Sequence, residues 1–298
     1  MADSASKTLL DALRKRDFVM TAELSLAPGS DVGEITGQAK LLRPHVDAIQ
    51  VTENQYGALH MSPLAAASIL LVEGVDPILQ ISVCNRNRAA LIGDLLGARA
   101  LGIRNIQLVQ GKKMPDSYQP QPTQVKDIEV EELIATTKLI NEDPELSGSV
   151  DFLIGAVVRA RILKQGEKMP MVVGKVDAGA QLLQTQVCFD LDVLRKYVAK
   201  IVSLKLIQRC SVIADIAVFE SAESARWLRD NLPHISVPNT IIRRLERADN
   251  PEQEGADICA EYLRELAEIP GLSGANLISI GSPTMKVKAI VSSGVRGE

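Results

Sequence analysis

The stretch Asn87–Gly111, NRAALIGDLLGARALGIRNIQLVQG, holds a helix and a strand back to back. Asn87–Leu101 is apolar on one face and stops before Gly102, a residue suited to the left-handed C-cap of a helix. A short apolar run, Asn105–Gly111, follows at once and reads as a strand. The same unit recurs on both sides. Apolar runs rich in β-branched residues lie at Val19–Leu24, Ala48–Glu53, Pro77–Val83, Asn105–Gly111, Asp151–Val158, Leu182–Cys188, Ser211–Phe219 and Ala275–Gly281. Near-continuous apolar strands separated by helices imply a parallel sheet covered on its faces. Eight such units predict an α/β fold, a single (β/α)8 TIM barrel. One domain over residues 1–298 is expected, with a loop insertion at about 112–126.

The intervening helices carry their own signals. Asp31–Leu42 opens with Ser30-Asp31 and has Glu34 at capping-box spacing. Ser221–Leu232 carries Trp227, expected to face the barrel. Val237-Pro238 starts a further helix, and Asp257–Ile269 is amphipathic and stops at Pro270-Gly271. Lys112–Lys126 breaks the rhythm with Pro115, Pro120, Pro122, Tyr118 and several glutamines. It follows the fourth strand, so it belongs to the face where barrel loops build active sites, and it is expected to be a mobile lid or a partner surface.

Composition narrows the classes. The chain has 298 residues, 46% of them hydrophobic, and a net charge of -4; its pI is about 5.6. No block of lysine and arginine suggests a nucleic-acid surface. No apolar stretch reaches the roughly 20 residues that span a bilayer. The residues Met1–Lys7 lack the apolar segment of a signal peptide, so a cytoplasmic location is expected. Cys84, Cys188, Cys210 and Cys259 are widely spaced and read as buried free thiols. His45, His60 and His234 have no metal-ligand spacing and read as surface or loop residues, so no metal site is expected.

Chemistry in such a barrel sits at the carboxyl ends of strands. There, Glu23, Thr52 and Gln186 are polar residues in otherwise apolar runs. Such groups are costly unless hydrogen-bonded. Either they satisfy one another as a core layer, or they converge on one ligand site at the barrel mouth.

The block Gly174–Ala180 (GKVDAGA), followed by Thr185-Gln186 and Phe189-Asp190, resembles the signature of the methylenetetrahydrofolate reductase family. Thr21–Leu24, Asn85-Arg86-Asn87, Gly97–Asn105 and Ile235–Pro238 resemble further stretches of that family in the same order. The resemblance implies reduction of 5,10-methylenetetrahydrofolate to 5-methyltetrahydrofolate with NAD(P)H, within one-carbon metabolism and methionine biosynthesis. It implies FAD and NAD(P)H as cofactors and tetrahydrofolate as substrate. Glu23 stands at the general acid, Gln186 at a substrate-binding glutamine and Phe219 near an aromatic that stacks on substrate or nicotinamide. Thr52, Asn85, Gln110, Gly111, Lys112 and Lys175 stand at cofactor-contacting positions. A homo-oligomer or an enzyme complex is the expected assembly.

Three positions depart from the family pattern. Lys112 stands where an acid is usual, Arg159 falls in what is usually a proline-containing motif, and Gln110 replaces Arg or Thr. A lysine in that place repels a cationic substrate by about 1–4 kcal/mol at contact, and FAD is expected to be held weakly. Two other readings stay open: a pterin-dependent methyl or one-carbon transferase, and a non-catalytic folate-binding subunit.

Overall fold

Strands β1 (Val19–Glu23), β2 (Ala48–Val51), β3 (Pro77–Ser82), β4 (Asn105–Val109), β5 (Leu153–Val158), β6 (Leu182–Thr185), β7 (Ser211–Val218) and β8 (Gly274–Ser279) pair in parallel in chain order. The first and last strands join at Val19↔Gly274, which closes the barrel. The structure, a computed structural model, describes residues 8–15, 18–54, 57–116, 118–146, 150–232, 235–279 and 281–296. His234 and residues 1–7, read above, lie outside the described residues.

Strand geometry explains what fills the barrel. Alternate residues of a strand point to opposite faces, so every second position shares the interior. At the amino-terminal end the interior is apolar: Val19, Ala48, Ile78, Leu153, Leu182 and Ile213 form one cluster. Helix α1 (Leu9–Lys15) plugs this end, with Leu9 and Ala12 buried in the same cluster. Two residues along, the interior turns polar, with Thr21, Gln50, Gln107, Gln184, Asp215 and Asn276. Gly155 leaves room there, because a Cβ on it would lie 2.0 Å from the Gln107 side-chain oxygen. Two residues further on, the barrel opens into a cavity.

The outer ring consists of α2 (Val32–Leu42), α3 (Pro63–Val72), α4 (Arg88–Leu101), α5 (Val130–Glu142), α6 (Pro170–Ala178), α7 (Leu191–Ser203), α8 (Ala222–Asn231), α9 (Asn239–Arg247), α10 (Pro251–Ala267) and α11 (Thr284–Ser293). Their starts follow capping chemistry. Asp31, Asn87, Asp190 and Asn250 each accept a backbone N–H from the first turn of α2, α4, α7 and α10. Gly102 ends α4 at φ 88°, the left-handed geometry expected of it. Among the described residues no helix is long and apolar enough to cross a membrane.

Several expectations need correction. Helix α10 begins at Pro251, six residues before Asp257, because the Asn250 cap and Pro251 in the first turn set its start. Pro238 is the N-cap residue of α9, one position before the helix proper. Trp227 is 37% exposed, because α8 turns Ala225 and Leu228 inward and Trp227 falls off that stripe. Cys84, Cys210 and Cys259 are buried free thiols, whereas Cys188 is half-buried with its Sγ on the Asp190 carbonyl. Except for β5, which ends with its run at Val158, the strands end one to three residues before the apolar runs do, so Thr52 and Gln186 sit just past β2 and β6.

Helix α10 packs directly on main chain. A Cβ at Gly255 would stand 1.8 Å from the Phe219 carbonyl oxygen, whereas one at Gly93, in the middle of α4, meets nothing within 4 Å. Gly255→Ala is therefore expected to cost at least about 1–3 kcal/mol, as overpacking does. Gly93→Ala should gain about 0.5–1 kcal/mol by helix propensity. Denaturant melts of both variants check this; equal effects would show that α10 can shift outward at no cost.

Candidate active site

The carboxyl ends of the strands enclose a cavity of about 1060 Å³. Its floor is the polar layer of the barrel. The Gln184 Nε2 donates to Gln50 Oε1 at 2.9 Å and to Asp215 Oδ1 at 2.6 Å. Asn276 Nδ2 donates to the same Asp215 oxygen at 2.9 Å, and its own Oδ1 accepts from the Thr21 hydroxyl at 2.8 Å. Five strands are thus tied by one chain of hydrogen bonds, which offsets the desolvation of these groups.

Glu23 and Asp215 border this floor. Glu23 is 6% exposed. Burial pushes its carboxyl up to about 7, against the pull of the Lys286 ammonium and the Thr52 hydroxyl. Burial likewise pushes Asp215 up to about 8, helped by the neighbouring Glu23, while the Asn276 and Gln184 amides pull it back. The tip of Asp215 touches the cavity while protein surrounds the rest of the carboxyl deep in the barrel, so desolvation dominates. Near neutral pH Asp215 is therefore mostly protonated and Glu23 about half so, and in that form each can donate to a ligand.

The wall carries most of the positions singled out from the sequence. Thr52, Asn85, Gln110, Gly111, Lys112, Lys175 and Gln186 all line the cavity with Glu23. Asn85 is held by bonds to Glu53 Oε1 and Ser82 Oγ, both 3.1 Å. Glu53 in turn pairs with Arg86 at 2.5 Å. Gly111 takes φ 80°, and a Cβ on it would collide with the Cys84 Sγ at 2.3 Å. Lys175 Nζ donates to the Val157 carbonyl at 2.7 Å. Partial desolvation lowers the affinity of both Lys112 and Lys175 for their protons. Arg159 shares the same wall.

Phe219 does not belong to this site. It is 1% exposed and stacks on Phe189 at a centroid distance of 5.7 Å, with Phe189 edge-on to Tyr262 at 5.4 Å. Strand β7 stops at Val218, so alternation stops with it and Phe219 packs among the helices. Conversely, Gln50, Gln184, Asp215 and Lys286 were not singled out from the sequence. The first three could have been found by period two, since each stands two residues before or after another polar interior residue or on the same interior column. Lys286, inside an apolar helix pattern, gave no such signal.

The segment 112–126 crosses the mouth without regular structure. Met114 is buried and lines the cavity. Pro115 lies against Gly57, where a Cβ would come within 2.8 Å of its ring. Val125 N donates to the Cys84 carbonyl at 2.9 Å. The remaining described residues of the segment are largely exposed. Among the described residues no three His, Cys, Asp or Glu side chains group as a metal set.

Comparison with known proteins gives a family and a fold. The family model described as methylenetetrahydrofolate reductase matches residues 10–281. No curated protein matches. Among solved structures, a long-chain alkane monooxygenase (LadA) is 13% identical with a TM-score of 0.56, over 93% of this chain and 90% of that chain. DmoA from Hyphomicrobium sulfonivorans is 10% identical with a TM-score of 0.52, over 92% and 86%. Tryptophan synthase from M. tuberculosis is 10% identical with a TM-score of 0.52, over 97% of each chain. At such identities the likeness shows the barrel alone.

The buried acid at Asp215 has a measurable consequence. An acid that binds its proton more tightly in the fold has full stability below its unfolded value and loses it as pH climbs toward the folded one. For Asp215 that window runs from 3.8 to about 8. Asparagine can accept the same two amide bonds and cannot ionise. Asp215→Asn should therefore match the wild type near pH 5 and exceed it near pH 8 by at least about 1 kcal/mol, roughly 2 °C or more in Tm. Parallel Tm curves for the two proteins across that range would refute the assignment.

Proposed function

Because the chain belongs to the methylenetetrahydrofolate reductase family, we propose that its barrel mouth binds 5,10-methylenetetrahydrofolate and reduces it to 5-methyltetrahydrofolate with NAD(P)H. The observation that carries this reading is Glu23, a carboxyl group kept protonated near pH 7 by burial, on the floor of the same cavity that Gln186 lines. In the reaction the bond between the methylene carbon and one folate nitrogen breaks. That nitrogen takes a proton and the carbon takes a hydride. Glu23 supplies the proton, since a general acid works best when its pKa lies near the working pH. Gln186 offers one acceptor and two donors, a set that suits the edge of a pterin ring.

The residues fit a phosphate-bearing dinucleotide in charge. Lys112, Arg159 and Lys175 bring cationic groups to a lining that also holds Glu129, Glu131 and Glu167, and a cavity of about 1060 Å³ lies at the upper end of the range for small-molecule sites. These side chains would hold the phosphates, and NAD(P)H when bound supplies the hydride. For FAD the same charges serve, but the acid, proline turn and arginine of the family pattern are here Lys112, Arg159 and Gln110. We therefore assign FAD a weak place at most. A second reading, a pterin-dependent one-carbon transferase, is favoured by Lys112 alone, which repels a cationic folate intermediate.

Two measurements test this. NAD(P)H oxidation that depends on methylenetetrahydrofolate should fall about 10²–10⁴-fold in Glu23→Gln with the fold kept. In the wild type, turnover should decline as pH rises through about 7, where Glu23 gives up its proton. Turnover near wild type in the variant would remove Glu23 from the mechanism, and methyl transfer without NAD(P)H would favour the transferase. The absorbance spectrum of the purified protein should show no stoichiometric flavin; a full flavin band would overturn the assignment for FAD.

A further inference from the structure

Lys286 is the one described lysine with 0% exposure, and it comes from α11, the last helix. Its ammonium donates to the backbone carbonyl of Glu23 and, at 3.2 Å, to the Ser25 hydroxyl. That carbonyl lies at the end of β1, where the main chain leaves the sheet and a strand-end acceptor needs a new donor. The cost of burying a lysine is large, and a backbone carbonyl could have been satisfied by a neutral group. A cation here acts on something charged, and the Glu23 carboxyl is that group.

We propose that Lys286 is a positioning residue for Glu23: it pins the main chain at the end of β1 and sets how readily the Glu23 carboxyl releases and regains its proton. Two ionisable groups face Glu23 from the elements packed around it. Lys286 comes from α11 and pulls the Glu23 carboxyl down, whereas Asp215 comes from β7 and is itself pushed up by Glu23. Thr52, which also faces Glu23, and Gln50 and Gln184, on the cavity floor, are neutral. Burial holds the proton on Glu23; Lys286, and after it the Thr52 hydroxyl, loosen it. The interaction is mutual: burial draws Lys286 down and Glu23 draws it back up. With Lys286 the acid can give its proton near neutral pH. Without it the carboxyl would hold the proton too tightly to donate.

The catalytic importance of this arrangement rests on the reductase reading, but its test does not. The protonated carboxyl of Glu23 can be followed by infrared titration of the folded protein, its band assigned by its loss in Glu23→Gln. Lys286→Met and Lys286→Gln remove the charge; Lys286→Arg keeps it. The first two should raise the Glu23 midpoint by at least about one pH unit, a tenfold change in proton affinity, while arginine should leave it within about half a unit. A midpoint unmoved by Met and Gln, or moved as far by Arg, overturns the proposal. The wild type provides a check that needs no substitution. The ¹⁵N signal of the Lys286 Nζ should respond at the pH where Glu23 titrates, and a signal flat through that pH overturns the proposal too. No turnover is measured, so an inactive reductase assay would defeat the functional reading and leave this result standing.

Discussion

A carboxylic acid set low in a barrel is poorly solvated, and that constraint organises the interior. With the strands closed into a ring at Val19↔Gly274, Glu23 and Asp215 depend largely on their neighbours for partners. The side chains that meet this need come from the same strands at the same height: Gln184, Asn276, Thr21 and Gln50 form a hydrogen-bonded belt, and Lys286 adds a cation. Below the belt the interior is aliphatic and sealed by α1. Above it the barrel is open. The position of the belt thus sets where the packed core ends and the chemistry begins.

The site is asymmetric in charge. Its floor holds two carboxyl groups that bind their protons tightly, and its lining carries Lys112, Arg159 and Lys175 together with Glu129, Glu131 and Glu167. Opposite, Glu53 is consumed by Arg86, which also pairs with Asp94. Hydrogen-bonding groups at the floor and mixed charges higher up divide the cavity into two chemically different zones.

The fold was legible in the sequence because its signals are local. Each apolar run lies in a strand, and Asn87, Gly102 and Asp31 mark helix ends by chemistry that acts within one turn. Glu23, Thr52 and Gln186 stood out because each interrupts an apolar run, and all three border the cavity. What was missed has two causes. Reading the strands as continuous apolar stretches hid the alternation that puts Gln50, Gln184 and Asp215 on the inner face. Lys286 was illegible for a different reason: its partner lies 263 residues away, and no local pattern encodes such a pairing. Phe219, placed by the resemblance, does not line the cavity, and Trp227, expected to face the barrel from its place in the helix, falls off the buried stripe of α8.

That long separation has a consequence for how the chain matures on the ribosome. Synthesis runs from β1 to α11, so Glu23 emerges early and Lys286 last among the groups at the cavity floor. Until the final helix leaves the exit tunnel, the strand-end carbonyl of Glu23 lacks its donor and the first strand lacks its partner β8. Contacts this distant in sequence close slowly, because the intervening loop entropy must be overcome before they form. A nascent chain can therefore stack its early β/α units as they appear, but the end of β1 acquires its lysine donor only when α11 has been made and has docked.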